Sequence, residues 1–310
     1  MPAVGAHKYV PILGLLLVAA ATSRTAPEPQ EKPLAEVRFT LHRNAVILPA
    51  VVSGRDTVHL LLDTGWGPLA LVSTSAQRLG LVVDPPAADG IGRAQVSSLA
   101  IGEAIQKDPL LEVFPTESLA PLIGPFDGVL STAFFRDLVL QIDYPAGIVR
   151  FFRRSPPSRP ASGSSCTSVP MVFSAQTGAL PFTDSVFVDG RPARGLFDTG
   201  GAGGFVAMRR LVERAQLRAL PDTSRAKTGI GMLSGGTMVQ QRVQFAQVGR
   251  ITVGSFEVKS PRVMLAPPQL EGDDWGHDLI IGYGFMRNYV VTFDYPGRRV
   301  VFCEAATSRE

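Results

Sequence analysis

The feature that most constrains the fold is a short motif that occurs twice. Residues 60–65 (LLLDTG) and residues 196–200 (LFDTG) are both apolar runs that end in Asp-Thr-Gly. Such a run is typical of a buried strand, which carries the carboxylate at its end toward the interior. There the carboxylate needs a hydrogen-bond donor, a cation or a second carboxylate that shares its proton. For either copy alone, an ordinary strand-to-turn junction is the alternative interpretation.

A longer repeat indicates that most of the chain is an internal duplication. Residues 127–151 align without a gap with residues 278–302. The identical pairs include Asp127/Asp278, Phe134/Phe285, Arg136/Arg287, Asp143/Asp294, Tyr144/Tyr295 and Pro145/Pro296. A Gly-Ile-Gly element precedes each window, at residues 90–92 and 229–231. The second copy carries extra residues at 232–250, where Gly235-Gly236 favours a hairpin turn that the first copy lacks.

The local pattern predicts an all-β fold with a few short helices. Short apolar or alternating runs bounded by Gly, Pro and Asp recur in both copies, as expected of strands. Two short helices are predicted at residues 73–79 and 209–217. The Pro- and Ser-rich residues 153–168 predict a linker between an N-terminal lobe at residues 33–152 and a C-terminal lobe at residues 169–304, followed by a tail at residues 305–310.

The N-terminus predicts export. Residues 11–22 form an apolar core that is too short to span a bilayer, and the small residues Ala19, Ala20 and Ala21 suit a signal-peptidase site. We therefore expect a signal peptide at residues 1–25, a flexible lead-in at residues 26–32, no membrane span in the mature form, and a periplasmic or secreted location. An uncleaved N-terminal anchor is the alternative.

Composition excludes some partners. The formal net charge is +3, and no dense Lys/Arg patch interleaves with aromatic residues, so nucleic acid is not expected as a partner. The four histidines are scattered, which predicts no metal site and no cofactor. Cys166 and Cys303 are the only cysteines, and an oxidising compartment permits one disulfide between them. Two unrelated buried thiols are the alternative.

The two aspartates can supply acid–base chemistry if the halves pack about a pseudo-twofold axis. Asp63 and Asp198 would then meet at the seam, and two carboxylates in contact hold one proton as a unit. The ionised member can take a proton from water while the protonated member donates to an amide carbonyl oxygen. Thr64 and Thr199 can hydrogen-bond across the axis.

These motifs resemble those of aspartic peptidases of the pepsin/retropepsin type, in a bacterial single-chain form with two retropepsin-like halves. The resemblance covers nearly all of the chain after residue 35 and includes Ile280-Ile281-Gly282. It implies an acid-protease fold of two pseudo-twofold-related β-barrel lobes and an endopeptidase that acts on peptides or proteins. One chain supplies both aspartates, so a monomer is expected.

The resemblance also implies roles for individual residues. Asp63 and Asp198 would be catalytic, and Thr64, Gly65, Thr199 and Gly200 would support the catalytic loops. Substrate would contact Trp66 and a flap that carries Ile230, Met232 and Leu233. For Trp66, a buried core position is the alternative.

Three features depart from the family pattern. Trp66 and Gly201 follow the two triplets, where the family usually has Ser or Ala. Residues 129–131 read Val-Leu-Ser where a glycine is expected, and the single flap lies in the second half rather than the first. A peptide-binding module with the same two-lobed fold and weak or no catalysis is therefore the alternative hypothesis.

Overall fold

The computed structural model describes residues 31–85, 91–115, 126–154, 165–174, 178–221, 228–232, 238–266 and 276–304. For residues 228–232 and 238–242 it describes the backbone alone. The predicted signal peptide, residues 26–30 of the lead-in and the tail lie outside the described residues, as do residues 155–164 of the linker and Leu233.

The described part of the first half is built from short strands with two helices. The strands are β1 Ala35–Arg38, β2 Thr40–His42, β3 Ala45–Val52, β4 Asp56–Asp63, β5 Ala70–Val72, β6 Gly92–Gln95, β7 Ser98–Ile101, β8 Ala104–Lys107, β9 Leu110–Phe114, β10 Gly128–Ser131, β11 Val139–Asp143 and β12 Ile148–Phe152. The helices are α1 Ser73–Arg78 and α2 Thr132–Phe135.

The described part of the second half has the same character. Its strands are β13 Cys166–Pro170, β14 Val172–Ser174, β15 Gly178–Val188, β16 Arg191–Phe197, β17 Phe205–Ala207, β18 Thr228–Met232, β19 Met238–Arg242, β20 Gln244–Gln247, β21 Arg250–Val253, β22 Phe256–Lys259, β23 Arg262–Leu265, β24 Leu279–Ile281, β25 Tyr289–Asp294 and β26 Arg299–Glu304. The helices are α3 Arg209–Arg214 and α4 Tyr283–Met286.

Two sheets have matching strand orders. One runs β6-β9-β5-β10-β4-β3-β7-β8, with β2 paired to β3. The other runs β20-β23-β17-β24-β16-β15-β21-β22, with β14 paired to β15. In each, the strand that precedes Asp-Thr-Gly lies between an antiparallel neighbour and a parallel one, β10 beside β4 and β24 beside β16. Leu60, Leu61 and Leu62 are all buried, so β4 is covered on both faces there, which is why these residues are apolar without alternation.

A third sheet joins the two halves. Its order is β1-β12-β11-β25-β26-β13, so the first half contributes three strands and the second half the other three. At its centre β11 pairs antiparallel with β25, and Gln141 lies opposite Thr292, its counterpart 151 residues later. The Gln141 Nε2 donates to Thr292 Oγ1 at 3.2 Å. Equivalent residues therefore face each other at the middle of this sheet.

The largest apolar cluster extends through both halves. It includes Leu62, Leu130 and Phe135 from the first half and Phe197, Phe293 and Phe302 from the second. The Phe197 ring packs against Phe302 with centroids 5.6 Å apart. Burying a side chain of this size contributes about 1.5–3 kcal/mol, so the halves are held together largely by shared apolar burial.

The chain is mostly β-sheet, with curled, barrel-like sheets, which confirms the predicted fold class and is consistent with a two-lobed acid-protease fold. None of the helices in the described segments has the length and apolar character needed to cross a membrane.

Some predicted boundaries were wrong. The second helix ends at Arg214, not at residue 217, because the backbone turns left-handed at Gln216. Strand β13 begins at Cys166, so the region predicted as a linker to residue 168 ends earlier, where pairing with β26 satisfies the backbone. The four-residue helices α2 and α4 were not predicted.

Candidate active site

Asp63 is the last residue of strand β4. Its neighbours on the strand, Leu60 to Leu62, are buried, whereas Asp63 itself is only partly buried. On the parallel strand β10, Ser131 lies in register with Asp63. A buried strand thus ends at a carboxylate that is partly exposed to solvent.

Asp198 occupies the corresponding place in the second half. It follows strand β16, and its N–H donates to the carbonyl of Ile281 on the parallel strand β24 at 3.0 Å. This side chain is also partly buried. Both aspartates are therefore positioned by the same arrangement of strands.

The two threonines hydrogen-bond reciprocally and are fully buried. The Thr64 N–H donates to Thr199 Oγ1 at 3.0 Å, and the Thr199 N–H donates to Thr64 Oγ1 at 3.1 Å. Each hydroxyl also donates at 2.8 Å to the opposite strand, Thr64 to the Phe197 carbonyl and Thr199 to the Leu62 carbonyl. The bonds fix the two loops against each other, because buried polar groups without partners cost about 1–3 kcal/mol each.

The glycines of the triplets permit close crosswise packing. A Cβ on Gly65 would lie 2.7 Å from the carboxyl carbon of Asp198, and one on Gly200 would overlap the Asp63 carboxyl. Any other residue at either position would displace the aspartate of the opposite half. The motif needs glycine here for space rather than for its backbone angles.

The two carboxyls are in direct contact. A hydrogen bond joins them. The Gly65 N–H donates to Asp63 Oδ1 at 2.8 Å, whereas Asp198 accepts from Gly201 at 2.9 Å and also from the Gly200 N–H. The additional donor stabilises charge on Asp198.

This asymmetry favours ionisation of Asp198. Burial raises the pKa of Asp63 well above its usual value, and the nearby charge of Asp198 raises it further. Burial also raises the pKa of Asp198, but the Gly201 N–H, the Asp63 hydrogen bond and the Gly200 N–H oppose that rise. Burial and mutual repulsion favour a single proton shared by the pair, and the additional backbone donor favours the charge on Asp198.

Trp66 and Gly201 follow the triplets and differ in size for a structural reason. A Cβ at Gly201 would lie 3.3 Å from Asp198 Oδ2, which is a tight contact. The Trp66 side chain is partly buried against a small apolar cluster that includes Ile47, Phe114 and Phe126. Its indole Nε1 is buried and has no hydrogen-bond partner in the described part of the chain. Trp66 therefore combines core packing with a position beside the aspartates.

The predicted flap contains a hairpin. Strands β18 and β19 pair antiparallel, with Ile230 opposite Gln240 and Met232 opposite Met238. Contacts of Ile230 and Met232 with substrate stay a prediction, as does that of Leu233, which lies outside the described residues.

Cys166 and Cys303 lie opposite each other on strands β13 and β26 and form a disulfide. The bridge lies at the edge of the third sheet rather than at the aspartates, so it is a structural element.

Sequence patterns assigned no role to two residues beside the site. Asn44 adopts a left-handed turn and donates from Nδ2 to the Ala202 carbonyl at 3.1 Å, which ties a first-half hairpin to the second-half loop. Ser131 donates to the Gly67 carbonyl at 2.8 Å, and its hydroxyl accepts from Ala133 at the start of helix α2. For Asn44, the sequence signal that could have identified it was an Asn at a turn between two strands. For Ser131 the signal was its alignment with Gly282.

Part of the second half matches a known protein family. Residues 185–285 match the family model described as aspartyl protease. This segment contains Asp198, Thr199 and Gly200. Comparison with curated proteins finds no significant match.

Proposed function

We propose that this protein is an aspartic endopeptidase that hydrolyses peptide bonds with a water molecule activated by Asp63 and Asp198. The hydrogen bond between these two carboxyls, each at the end of an Asp-Thr-Gly strand, carries the proposal. The aspartyl protease match at residues 185–285 supports it for the second half.

The asymmetry of the pair assigns a role to each carboxyl. Ionised Asp198 accepts a proton from the attacking water, whose oxygen bonds to the carbonyl carbon of the peptide. Asp63 donates its proton to the carbonyl oxygen, which gives a neutral tetrahedral diol. The diol then breaks its C–N bond: a diol hydroxyl returns a proton to Asp63, and Asp198 gives its proton to the leaving nitrogen. The pair thereby recovers its single proton.

The proposed arrangement is two duplicated lobes related by a pseudo-twofold axis, one at residues 33–152 and the other at residues 169–304. Three observations support it: the matching strand orders, the reciprocal bonds of Thr64 and Thr199, and the pairing of Gln141 with Thr292. A twofold axis brings equivalent residues of the two lobes together, and these pairs are equivalent residues in contact.

The remaining assignments extend the proposal. Trp66 and the hairpin carrying Ile230, Met232 and Leu233 would contact an extended peptide. We propose that the chain is exported to the periplasm or the exterior after removal of residues 1–25 and that it acts as a monomer without a cofactor. The disulfide between Cys166 and Cys303 is compatible with an oxidising compartment.

A peptide-binding module without useful catalysis is the second candidate. It is favoured by Trp66 and Gly201, because neither supplies the hydroxyl that a Ser would offer to the adjacent carboxylate. The N–H of Gly201, however, donates to Asp198 directly, so the missing hydroxyl does not leave that carboxylate unsupported.

The two candidates differ in a simple experiment. The purified protein is incubated with a mixed peptide library from about pH 3 to about pH 8, and the products are identified by mass spectrometry. The peptidase hypothesis predicts new termini, most abundant at acid to mildly acid pH and suppressed by a statine-type transition-state mimic. Retention of peptides without cleavage at every pH would contradict it and favour the binding module.

A further inference from the structure

Two buried tyrosines, one from each half, have no role in the chemistry described so far. Tyr144 and Tyr295 occupy equivalent positions of the repeat, directly after the central strands β11 and β25 of the joining sheet. Their exposed fractions are 7% and 2%. Both hydroxyls lack a hydrogen-bond partner within the described segments. A buried hydroxyl without a partner is costly, and here the same cost occurs at both equivalent positions.

The rings are fixed by aromatic neighbours. The Tyr144 ring centroid lies 6.2 Å from that of Phe39 and 5.6 Å from that of Tyr283. The Tyr295 ring centroid lies 5.5 Å from that of Phe135 and 6.1 Å from that of Phe173. Because both rings are buried and pack against aromatic neighbours, neither hydroxyl can turn toward bulk solvent without repacking.

Each ring packs against a short helix that is bonded to the aspartate loop of the opposite half. Tyr144 packs on Tyr283 of α4, whose N–H donates to the Gly201 carbonyl in the loop after Asp198. Tyr295 packs on Phe135 of α2, and this helix is bonded through the Thr132 N–H to the Trp66 carbonyl in the loop after Asp63.

Burial and the neighbouring Tyr283 raise the pKa of Tyr144, and the charge of Asp198 raises it further. Burial raises the pKa of Tyr295, and the charge of Asp63 adds to that rise. Both hydroxyls therefore remain protonated, and each keeps a proton to donate.

We propose that Tyr144 and Tyr295 are positioning residues for the aspartate pair. Each hydroxyl donates through one bridging water molecule to the aspartate of the opposite half, Tyr144 to Asp198 and Tyr295 to Asp63. A buried water with polar partners on both sides satisfies the hydroxyl and the rear of the carboxyl together. This inference deepens the proposed function, on which its catalytic meaning rests.

The other polar groups around the rings do not replace this role. Tyr283 packs edge-on against Tyr144, and the Arg298 guanidinium lies over the Phe173 ring, 5.7 Å from its centroid. Neither makes a hydrogen bond to Tyr144 or Tyr295 in the described part of the chain. The aspartates are therefore the partners that chemistry and placement favour.

A donated hydrogen bond stabilises the ionised carboxyl, so removing it should raise the apparent pKa of the pair. Tyr144→Phe and Tyr295→Phe keep the ring and delete only the hydroxyl. Tyr289→Phe is the matched control, because its ring packs against Phe256, Phe285 and Phe302 rather than beside the aspartates. We expect a rise of about 0.5–1 pH unit in each of the first two variants and none in the control.

The primary measurement does not require catalysis. Urea unfolding of the full protein from about pH 4 to about pH 8 reports the titration of the pair through the pH dependence of stability. Tyr144→Phe should shift that titration in the parent protein. In a protein that also carries Asp198→Asn, Tyr144→Phe should have no effect on the titration, whereas Tyr295→Phe should still shift it. Unchanged titration in both tyrosine variants, or an equal shift in Tyr289→Phe, would overturn the proposal.

Peptide hydrolysis gives a second measurement if cleavage occurs. Tyr144→Phe should move the acid limb of the pH–rate profile to higher pH, because Asp198 is the ionised member in the proposed mechanism. Tyr295→Phe should move the alkaline limb to higher pH, because Asp63 is the protonated member. Absence of cleavage in the parent would contradict the proposed function, whereas the stability measurement would still decide whether the tyrosines are coupled to the aspartates.

Discussion

At the scale of single residues, the two carboxyls of the proposed site differ in the number of backbone hydrogen bonds that they accept. Asp198 accepts from two backbone N–H groups of the glycines that follow it, whereas Asp63 accepts from the Gly65 N–H. The difference follows from sequence, because Gly201 lets the chain turn tightly against Asp198 where the first half has Trp66. Duplication alone would give two carboxyls with equivalent surroundings. Gly201, which has no glycine counterpart in the first half, makes their hydrogen bonding different.

The raised pKa of Asp63 predicts how stability depends on pH. The folded protein holds this proton to higher pH than the unfolded chain, whose Asp titrates near the ordinary value of 3.8. Unfolding above that value therefore releases a proton, and the free energy of unfolding falls as pH rises toward the raised pKa. Asp63→Asn removes this titration and should flatten that part of the stability curve in urea unfolding.

The control for this prediction is Asp137→Asn, because the Asp137 side chain is 91% exposed. It should leave the slope of stability against pH unchanged. A slope equally steep in Asp63→Asn and in the parent would show that Asp63 does not hold the proton.

At the scale of elements, the aspartate loops are held by the strands before them and by the short helices α2 and α4. Strands β4 and β16 are covered on both sides by neighbouring strands, and the loops after them bond to α2 and α4. The Thr132 N–H donates to the Trp66 carbonyl at 3.1 Å, and the Tyr283 N–H donates to the Gly201 carbonyl at 2.8 Å. Gly282 is required at the second of these junctions, because a Cβ there would overlap the Gly201 carbonyl, whereas the first accommodates Ser131.

The disulfide gives a prediction for the second half. It joins residues 137 positions apart and so closes a loop that contains nearly all of the second half. Replacing Cys166 and Cys303 together by Ala should lower the free energy of unfolding by about 2–5 kcal/mol, because the unfolded chain regains conformational freedom. Urea unfolding measures this loss.

The parent under reducing conditions is the comparison for that variant. The bridge lies at a sheet edge away from the aspartates, so peptide cleavage by the folded double variant should equal that of the parent. A double variant as stable as the oxidised parent would contradict the structural role of the bridge.

The elements also show what the sequence could predict. The two Asp-Thr-Gly strands, the repeat and the first helix were recognisable from local pattern, because buried strands and turn residues leave a signal within a few positions. The helices α2 and α4 are only four residues long and show no helical periodicity. The bond from Asn44 to Ala202 joins residues 158 positions apart, and its partner depends on packing that no local pattern encodes.

At the scale of the whole molecule, the equivalent strands meet in one sheet and the equivalent loops meet at one site. The pairing of Gln141 with Thr292 and the reciprocal bonds of Thr64 and Thr199 are symmetric contacts between the halves. The sequence predicted that such halves would bring Asp63 and Asp198 together. The unequal backbone donors, on which the proposed roles of the two aspartates rest, were visible only in the structure.

The most direct test of the account is the cleavage rate of the single variants Asp63→Asn and Asp198→Asn, measured with one peptide substrate at the optimal pH of the parent. In the proposed mechanism each aspartate performs a different proton transfer, so each variant should lose at least about 10²–10⁴-fold in rate, and Asp137→Asn should match the parent. Cleavage at the parental rate by either aspartate variant would contradict the paired mechanism.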